Sequence, residues 1–384
     1  MSRPSFELAD IIKKFATQFF LQYKPNAHQQ KILNTLSVCR TSALGGHKEK
    51  CSCCHKTLVS YNSCRNRHCP KCQSSKQAFW VEDLLATTLA VKHYHVVFTI
   101  PHVLNKVCIQ NSEWFYARLF ANVWETLRQL GYSRFGVECG AICVLHTWGQ
   151  NLSLHPHIHC IVPAIGETLA GNTKYIGHNG KYLFPVKQLS LVFRAKMMGS
   201  IQMQLKKQGL LPSFDTLLSE AWQKPWVVFC EPSMAKADHV VKYLGQYTHR
   251  VAITNQRILN ITGQSVTFLH KDYGDGALQK PVTMPGVEFL RRFCMHILPH
   301  RFVKIRRYGI YSSRARVLKQ AQNPKMKVKT TLLETIPERI KRLTGFDVLR
   351  CPFCKKGIMQ VVEIVPKIRS PTSFYSRIAN CKTL

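Results

Sequence analysis

The feature that most constrains this chain is the stretch CSCCHKTLVSYNSCRNRHCPKCQ, residues 51–73. It contains two C-x-x-C knuckles, Cys51-x-x-Cys54 and Cys69-x-x-Cys72, with fourteen residues between them. Each knuckle turns tightly, so its two thiolates converge on one ion; two at this separation predict a tetrahedral structural zinc site. Pro70 sits inside the second knuckle, where a turn is needed. Cys53, Cys64, His55 and His68 are spare candidates, of which Cys64 and His68 could reach zinc or DNA. A reducing compartment, the cytoplasm, suits this cysteine usage better than disulfides do. Cys351-Pro-Phe-Cys354 reads as half of a similar site; no second knuckle lies near it, and only Cys381 follows.

Charge says what surrounds such a module. Fifty-four Lys and Arg face twenty Asp and Glu, a formal net charge of +34. An excess this large repels itself unless a polyanion neutralises it, and nucleic acid is the expected partner. Arg65, Arg67 and Lys71, beside Lys48 and Lys50, give the cysteine cluster a phosphate-binding surface. The N-terminal apolar residues are interrupted by Glu7, Asp10, Lys13 and Lys14, unlike a signal peptide. No apolar run reaches a membrane span.

The remaining pattern predicts an α+β chain. Helical structure is expected over 1–46 (apolar period at Leu8, Ile11, Ile12, Phe15 and Phe19), 76–93, 112–131 (capped by Ser112, stopped by Gly131), 191–209, 234–250 and 331–343. Strands are expected over 94–101, 140–149, 157–165, 226–232 and 265–270. Domains are placed at 1–80 (helical and zinc-binding), 81–315 (catalytic) and 316–384 (basic, with the second knuckle and a loose tail).

Within the third expected strand stands SLHPHIHCIV, residues 153–162. Residues two apart on a strand share a face, so His157 and His159 point together, about 6.6 Å apart at Cα, while Ile158, Cys160 and Val162 face the core. Two imidazoles so placed can share a metal. His155 lies farther along, beyond Pro156. The third ligand is expected from elsewhere: Gln150 first, with His155 and His146 as fallbacks. Alone, H-x-H fits a solvent-facing strand equally well.

VVKYLGQYTHR, residues 240–250, supplies a partner. Tyr243 and Tyr247 are four apart and share one helical face. Such pairs more often pack than react. Here Gly245 leaves backbone room between them, and Lys242, His249 and Arg250 add positive charge that attracts phosphate. Phenol oxygens, a metal held by two histidines and a polyanionic partner together suggest attack of tyrosine on a DNA phosphodiester.

His157-Ile158-His159 resembles the HUH motif of single-strand DNA nucleases, and Tyr243-x-x-x-Tyr247 resembles the two-tyrosine motif of its replication initiators and rolling-circle transposases. With SCRNRHCPKCQ, HVVFTIPH, HPHIHCIVP and YLGQYTHRVAI in this order, residues 25–310 resemble bacterial insertion-sequence transposases of the two-tyrosine rolling-circle type; LTGFDVLRCPFC extends the likeness. The resemblance implies a central antiparallel sheet carrying the histidine strand, preceded by a small zinc-binding domain. It implies a Mg²⁺ or Mn²⁺ ion on His157, His159 and, by a seven-residue offset, Gln150. It implies Tyr243 and Tyr247 as nucleophiles that form a 5′-phosphotyrosine, single-stranded element ends and target DNA as substrates, and a host helicase, since no G-x-x-x-x-G-K-[ST] sequence is present. A plasmid replication initiator or relaxase would use the same chemistry. A zinc DNA-binding protein without catalysis is the alternative of a different class.

Overall fold

The computed structural model describes residues 4–89, 91–177, 183–231, 251–272, 275–312 and 334–368. The expected helix over 234–250, with Lys242, Tyr243, Tyr247 and Arg250, lies outside them.

The chain opens with helices α1 (Leu8–Tyr23) and α2 (Ala27–Ser37). A capping box joins Glu7 to Asp10 at the start of α1, and Asn26 accepts from the Gln29 backbone at the start of α2. Strands β1 (Gly46–Cys51) and β2 (Thr57–Tyr61) follow, then α3 (Pro70–Thr87), β3 (His93–Thr99), α4 (Asn105–Gln110) and α5 (Ser112–Phe135). Asn111, not Ser112, caps α5 through its side chain, and the helix ends at Gly136 in the left-handed region, not at Gly131. Gly131 is instead a packing glycine: a Cβ there would stand 2.7 Å from Cys139 Sγ.

Next come β4 (Val137–Cys139), β5 (Ala141–Trp148), β6 (Leu154–Pro163), β7 (Ile165–Thr168) and β8 (Thr173–Tyr175). Helix α6 (Val186–Lys207) starts directly after Pro185, five residues ahead of the expected 191. Then follow α7 (Asp215–Gln223), β9 (Val228–Glu231), β10 (Ile258–Ile261), β11 (Ser265–Asp272), β12 (Leu278–Pro285), α8 (Gly286–Met295), β13 (Ile305–Tyr308), α9 (Ile336–Thr344) and β14 (Met359–Val365).

A five-stranded sheet in the order β13-β5-β6-β3-β9, antiparallel at every pairing, forms the centre. Its alternation sorts the side chains. Val96, Phe98, Cys143, Leu145, Ile158, Cys160 and Val162 enter one apolar core with Phe115, Leu119 and Val123 of α5 and Phe193, Met197 and Ile201 of α6. The opposite face of β3, β5 and β6 presents histidines instead. A second core joins α1 and α2 to β10, β11, β12 and α8, with Phe15, Phe19, Leu33, Phe268, Phe289 and Phe293 buried in it. The third notable sheet, β14-β1-β2, pairs a C-terminal strand with the N-terminal hairpin. This is the mixed helix and antiparallel-sheet class expected from the sequence. No helix among the described residues is long and apolar enough to cross a membrane.

Strand β6 is longer than expected at its start. It begins at Leu154 and runs through Pro156. Proline is tolerated there because β3 pairs only as far as His157, and the β5 register shifts between His146 and Trp148, so no ladder donor is required of residue 156.

Candidate metal centre

Strand β6 holds His157 and His159 on one face, and β5 brings His146 directly opposite His157. Ligand nitrogens of the three lie within 4.8 Å of one another. Ring centroids are 5.3 Å apart for His146–His157, 4.6 Å for His146–His159 and 4.9 Å for His157–His159.

Hydrogen bonds orient two of the rings. His157 Nδ1 lies 2.7 Å from the carbonyl of His155, which can only accept. The Nδ1–H tautomer is thereby fixed, and Nε2 keeps its lone pair. His159 Nδ1 lies 2.9 Å from Nε2 of His95, which comes from β3 on the other side of β6. The two rings are coplanar, with an interplanar angle of 1°, as an in-plane nitrogen–nitrogen hydrogen bond requires. His95 Nδ1 in turn lies 3.9 Å from the Glu231 carboxylate of β9. The His95–His159 contact thus crosses from β3 to β6 toward the group, an outer contact of the kind that fixes ring orientation around bound metals.

Burial disfavours the charged form of His157 and His159. The pKa of His157 is pushed down to about 4, and that of His159 well below its ordinary value, mainly by desolvation and then by neighbouring histidines. Neutral imidazole is the metal-binding form, and three ring nitrogens at this spacing fit a divalent cation.

Among the imidazole, thiol and carboxylate groups of the described residues, His146 is the one that joins the His157–His159 pair. Gln150, the first expectation for the third ligand, stands in the turn after β5, where its backbone carbonyl accepts from Arg257. His155 points out to solvent and contributes its carbonyl. His95 escaped the sequence reading, although His93-Tyr-His95 repeats the H-x-H spacing.

The cysteines are regrouped as well. Cys51-x-x-Cys54 and Cys69-x-x-Cys72 do not share one site. Cys69 and Cys72 gather with Cys64 and with Cys39, which no paired spacing announces; Cys51 and Cys54 gather with Cys351 and Cys354. In the first group the Sγ separations are 3.6 Å for Cys39–Cys72, 3.7 Å for Cys64–Cys72 and 3.5 Å for Cys39–Cys69. Four sulfurs on a tetrahedral Zn²⁺ at about 2.3 Å stand about 3.8 Å apart, whereas a disulfide needs about 2.05 Å. The spacing therefore fits a metal. Cys39 was missed because α2 and a turn deliver it from outside the cysteine-rich stretch. His68 belongs to neither group; it lies half-buried, with its pKa pushed down to about 3 by burial and then by Lys304 and Arg67.

The expected phosphate ligands of this module have different fates. Arg65 is exposed. Arg67 donates to the carbonyl of Phe302. Lys71 is paired with Glu7 at 2.5 Å and donates to the Cys39 carbonyl at 3.2 Å, so it ties α1 to the cysteine module and is not an open phosphate contact. A cavity of about 360 Å³ opens between this module and the sheet, lined among others by Arg67, His68, Trp148, His296 and Lys304. Trp148 stacks on His146 at 5.1 Å, and Lys304 Nζ sits 5.0 Å from the Trp148 ring. The cavity is thus one residue contact away from the imidazole group.

Fold and site together define a class: a histidine-centred antiparallel-sheet domain of nuclease-like layout, coupled to a cysteine-built zinc-binding module. The family profile described as "Putative transposase" matches residues 140–319, and that described as "Transposase zinc-binding domain" matches residues 11–100. The chain is 37% identical to "Putative transposase y4qJ" of Sinorhizobium fredii (strain NBRC 101917 / NGR234), over 97% of this chain and 98% of that protein. It is 27% identical to "Transposase for insertion sequence element IS801" of Pseudomonas savastanoi pv. phaseolicola, over 72% of this chain and 68% of the relative. No solved structure matches it significantly. The chain belongs to this family of insertion-sequence transposases with an N-terminal zinc-binding domain.

Proposed function

We propose that this transposase moves DNA by the rolling-circle route, nicking and rejoining single strands through a 5′-phosphotyrosine. The observation that carries the reading is the convergence of three imidazoles, His146, His157 and His159, on one face of the central sheet. They would hold a Mg²⁺ or Mn²⁺ ion. When bound, that ion supplies charge stabilisation to the scissile phosphate. A Tyr243 or Tyr247 oxygen attacks phosphorus, the P–O3′ bond breaks, and the departing oxygen takes up a proton as a 3′-OH. The second tyrosine repeats the step on the next strand. These two residues are assigned from their four-residue spacing and the family resemblance.

The net charge of +34 supports a DNA substrate, and the cavity beside Trp148 adds an aromatic face flanked by Arg67 and Lys304, groups suited to a base and its phosphate. A host helicase would unwind the strand, and the cytoplasm is where the DNA lies.

The test uses single-stranded element ends labelled on either side of the nick, with Mn²⁺. A covalent adduct that survives denaturation, persists in each single Tyr→Phe variant, and vanishes in the Tyr243→Phe/Tyr247→Phe pair is expected. Specific binding of the ends without any adduct would instead make the chain a zinc DNA-binding protein.

A further inference from the structure

The second thiol group has a geometry of its own. Cys51 Sγ lies 3.7 Å from Cys354 Sγ, and Cys54 Sγ lies 3.7 Å from Cys351 Sγ. These are tetrahedral-zinc separations by the comparison made above, and far too long for disulfides.

The two knuckles also turn alike. His55 N donates to Cys51 O at 3.2 Å, and Lys355 N donates to Cys351 O at 3.1 Å. Cys51 N donates to Lys56 O at 3.0 Å, and Cys351 N donates to Gly357 O at 2.9 Å. The residue after each second cysteine, His55 or Lys355, has a left-handed φ of 60°. A non-glycine residue adopts that conformation only where the surroundings impose it. Backbone amides also aim at the sulfurs: Cys53 N and Cys54 N at Cys51 Sγ (3.3 and 3.4 Å), and Gly357 N at Cys354 Sγ (3.4 Å). Such bonds favour thiolate over thiol.

Charge agrees. Four thiolates on a divalent cation leave a net charge of about −2. The residues within and beside the knuckles include Lys50, Lys56, Arg350, Lys355 and Lys356, and positions 50–56 and 350–357 contain no carboxylate.

Beyond its backbone ladder to β1 and the Lys48–Glu363 pair at 3.6 Å, the C-terminal strand has little apolar anchorage. Of β14, only Met359 is buried, with Val365 half-buried and the five residues between them exposed. The small core around it consists of Cys51, Cys351 and Met359, with Cys54 and Cys354 packed on it. One buried methionine is a small apolar anchor for a seven-residue strand whose remaining side chains are mostly exposed. A further attachment of this segment, Arg339 and Arg342 of α9 to Glu82 and Asp83 of α3, is a partly exposed ion-pair set of small individual worth.

We propose that Cys51, Cys54, Cys351 and Cys354 form a second structural Zn²⁺ site, distinct from that of Cys39, Cys64, Cys69 and Cys72, which clasps β14 onto β1. It is completed by residues far outside the 11–100 segment that the zinc-binding profile covers. It does not depend on the proposed strand-transfer chemistry.

The test is made on the full chain, purified with zinc and dialysed against a weak chelator. A thiol-modifying mercurial then releases thiolate-bound zinc, leaving imidazole sites out of the count. Two zinc per chain are expected, falling to one in Cys351→Ser/Cys354→Ser. Hydrogen exchange in that variant should speed up together in 46–51 and 359–365 and stay slow in 93–99. Because a variant can fail to fold, the unmutated apo-protein is also titrated with Co²⁺. Thiolate-to-cobalt absorption should grow through two equivalents. Saturation at one equivalent, an unchanged zinc count in Cys351→Ser/Cys354→Ser, or iron in place of zinc would each overturn the assignment.

Discussion

The hydrogen bond from His95 to His159 gives the sharpest handle on the imidazole group. His95→Phe keeps a ring of similar size in a buried position but removes the nitrogen that meets His159 Nδ1 at 2.9 Å. Removing one partner of a buried polar pair costs about 1–3 kcal/mol. Part of that loss falls on the apo fold and part on the orientation of His159. Outer partners of metal-binding histidines typically contribute about 10–100-fold to affinity, or about 1.4–2.7 kcal/mol. The expected result is a Kd for Mn²⁺ raised by about 10–100-fold, read from the free-ion signal in electron paramagnetic resonance. Adduct formation should be lost at limiting Mn²⁺ and regained at saturating Mn²⁺, because His95 positions a ligand and does not touch the reacting atoms. His157→Ala should not be rescued. An unchanged Kd in His95→Phe, with His157→Ala defective, would refute the reasoning; so would a defect that saturating Mn²⁺ leaves in place.

Three further outcomes are expected. His93 and His296 are buried and their pKa values are pushed down to about 4 by desolvation, below the ~6.5 of an unfolded chain, so the unfolded state binds more protons between these values. Their contribution is complete above pH ~6.5 and is lost as pH falls toward ~4, by up to about 3 kcal/mol each; a urea midpoint that stays level from pH 7 to 4.5 would contradict this. Gly357→Ala would set a Cβ 2.5 Å from Cys51 Sγ and 2.9 Å from the Cys53 backbone nitrogen, so thiolate-bound zinc should drop from two to one per chain by mercurial release. Phe193→Ala empties a fully buried position where the ring meets Phe98 at 5.1 Å and Trp226 at 5.3 Å; denaturant unfolding should show a loss of about 3–5 kcal/mol, and a loss below about 1 kcal/mol would mean the helix–sheet core is not built as described.

What could be read in the sequence was whatever depends on near neighbours along the chain. Strand alternation correctly set His157 and His159 against Ile158, Cys160 and Val162. Helix periodicity marked Leu8, Ile11, Ile12, Phe15 and Phe19, all buried in the structure. The misses share one cause: they depend on which distant segments meet. Register alone places His146 opposite His157, which nothing local to residue 146 announces. Knuckle spacing identifies pairs of thiols but not which pairs combine, so the nearest pairing in sequence was preferred over the one three-stranded sheet β14-β1-β2 imposes. His95 carried the same H-x-H signal as His157; the sheet order decided that it supports a ligand from the adjacent strand.

The pairing of β1 with β14 also sets a clock. Cys54 and Cys351 are 297 positions apart. At about 5–20 residues per second, synthesis needs about 15–60 s to pass from one to the other. Through that interval the β1–β2 hairpin has neither its third strand nor half of its sulfurs. Chains that stop short of residue 351, by nonsense mutation or abandoned translation, can build the central sheet and its histidines yet never close this sheet. Such interrupted chains would leave an open strand edge at Gly46–Cys51, where the full chain has β14.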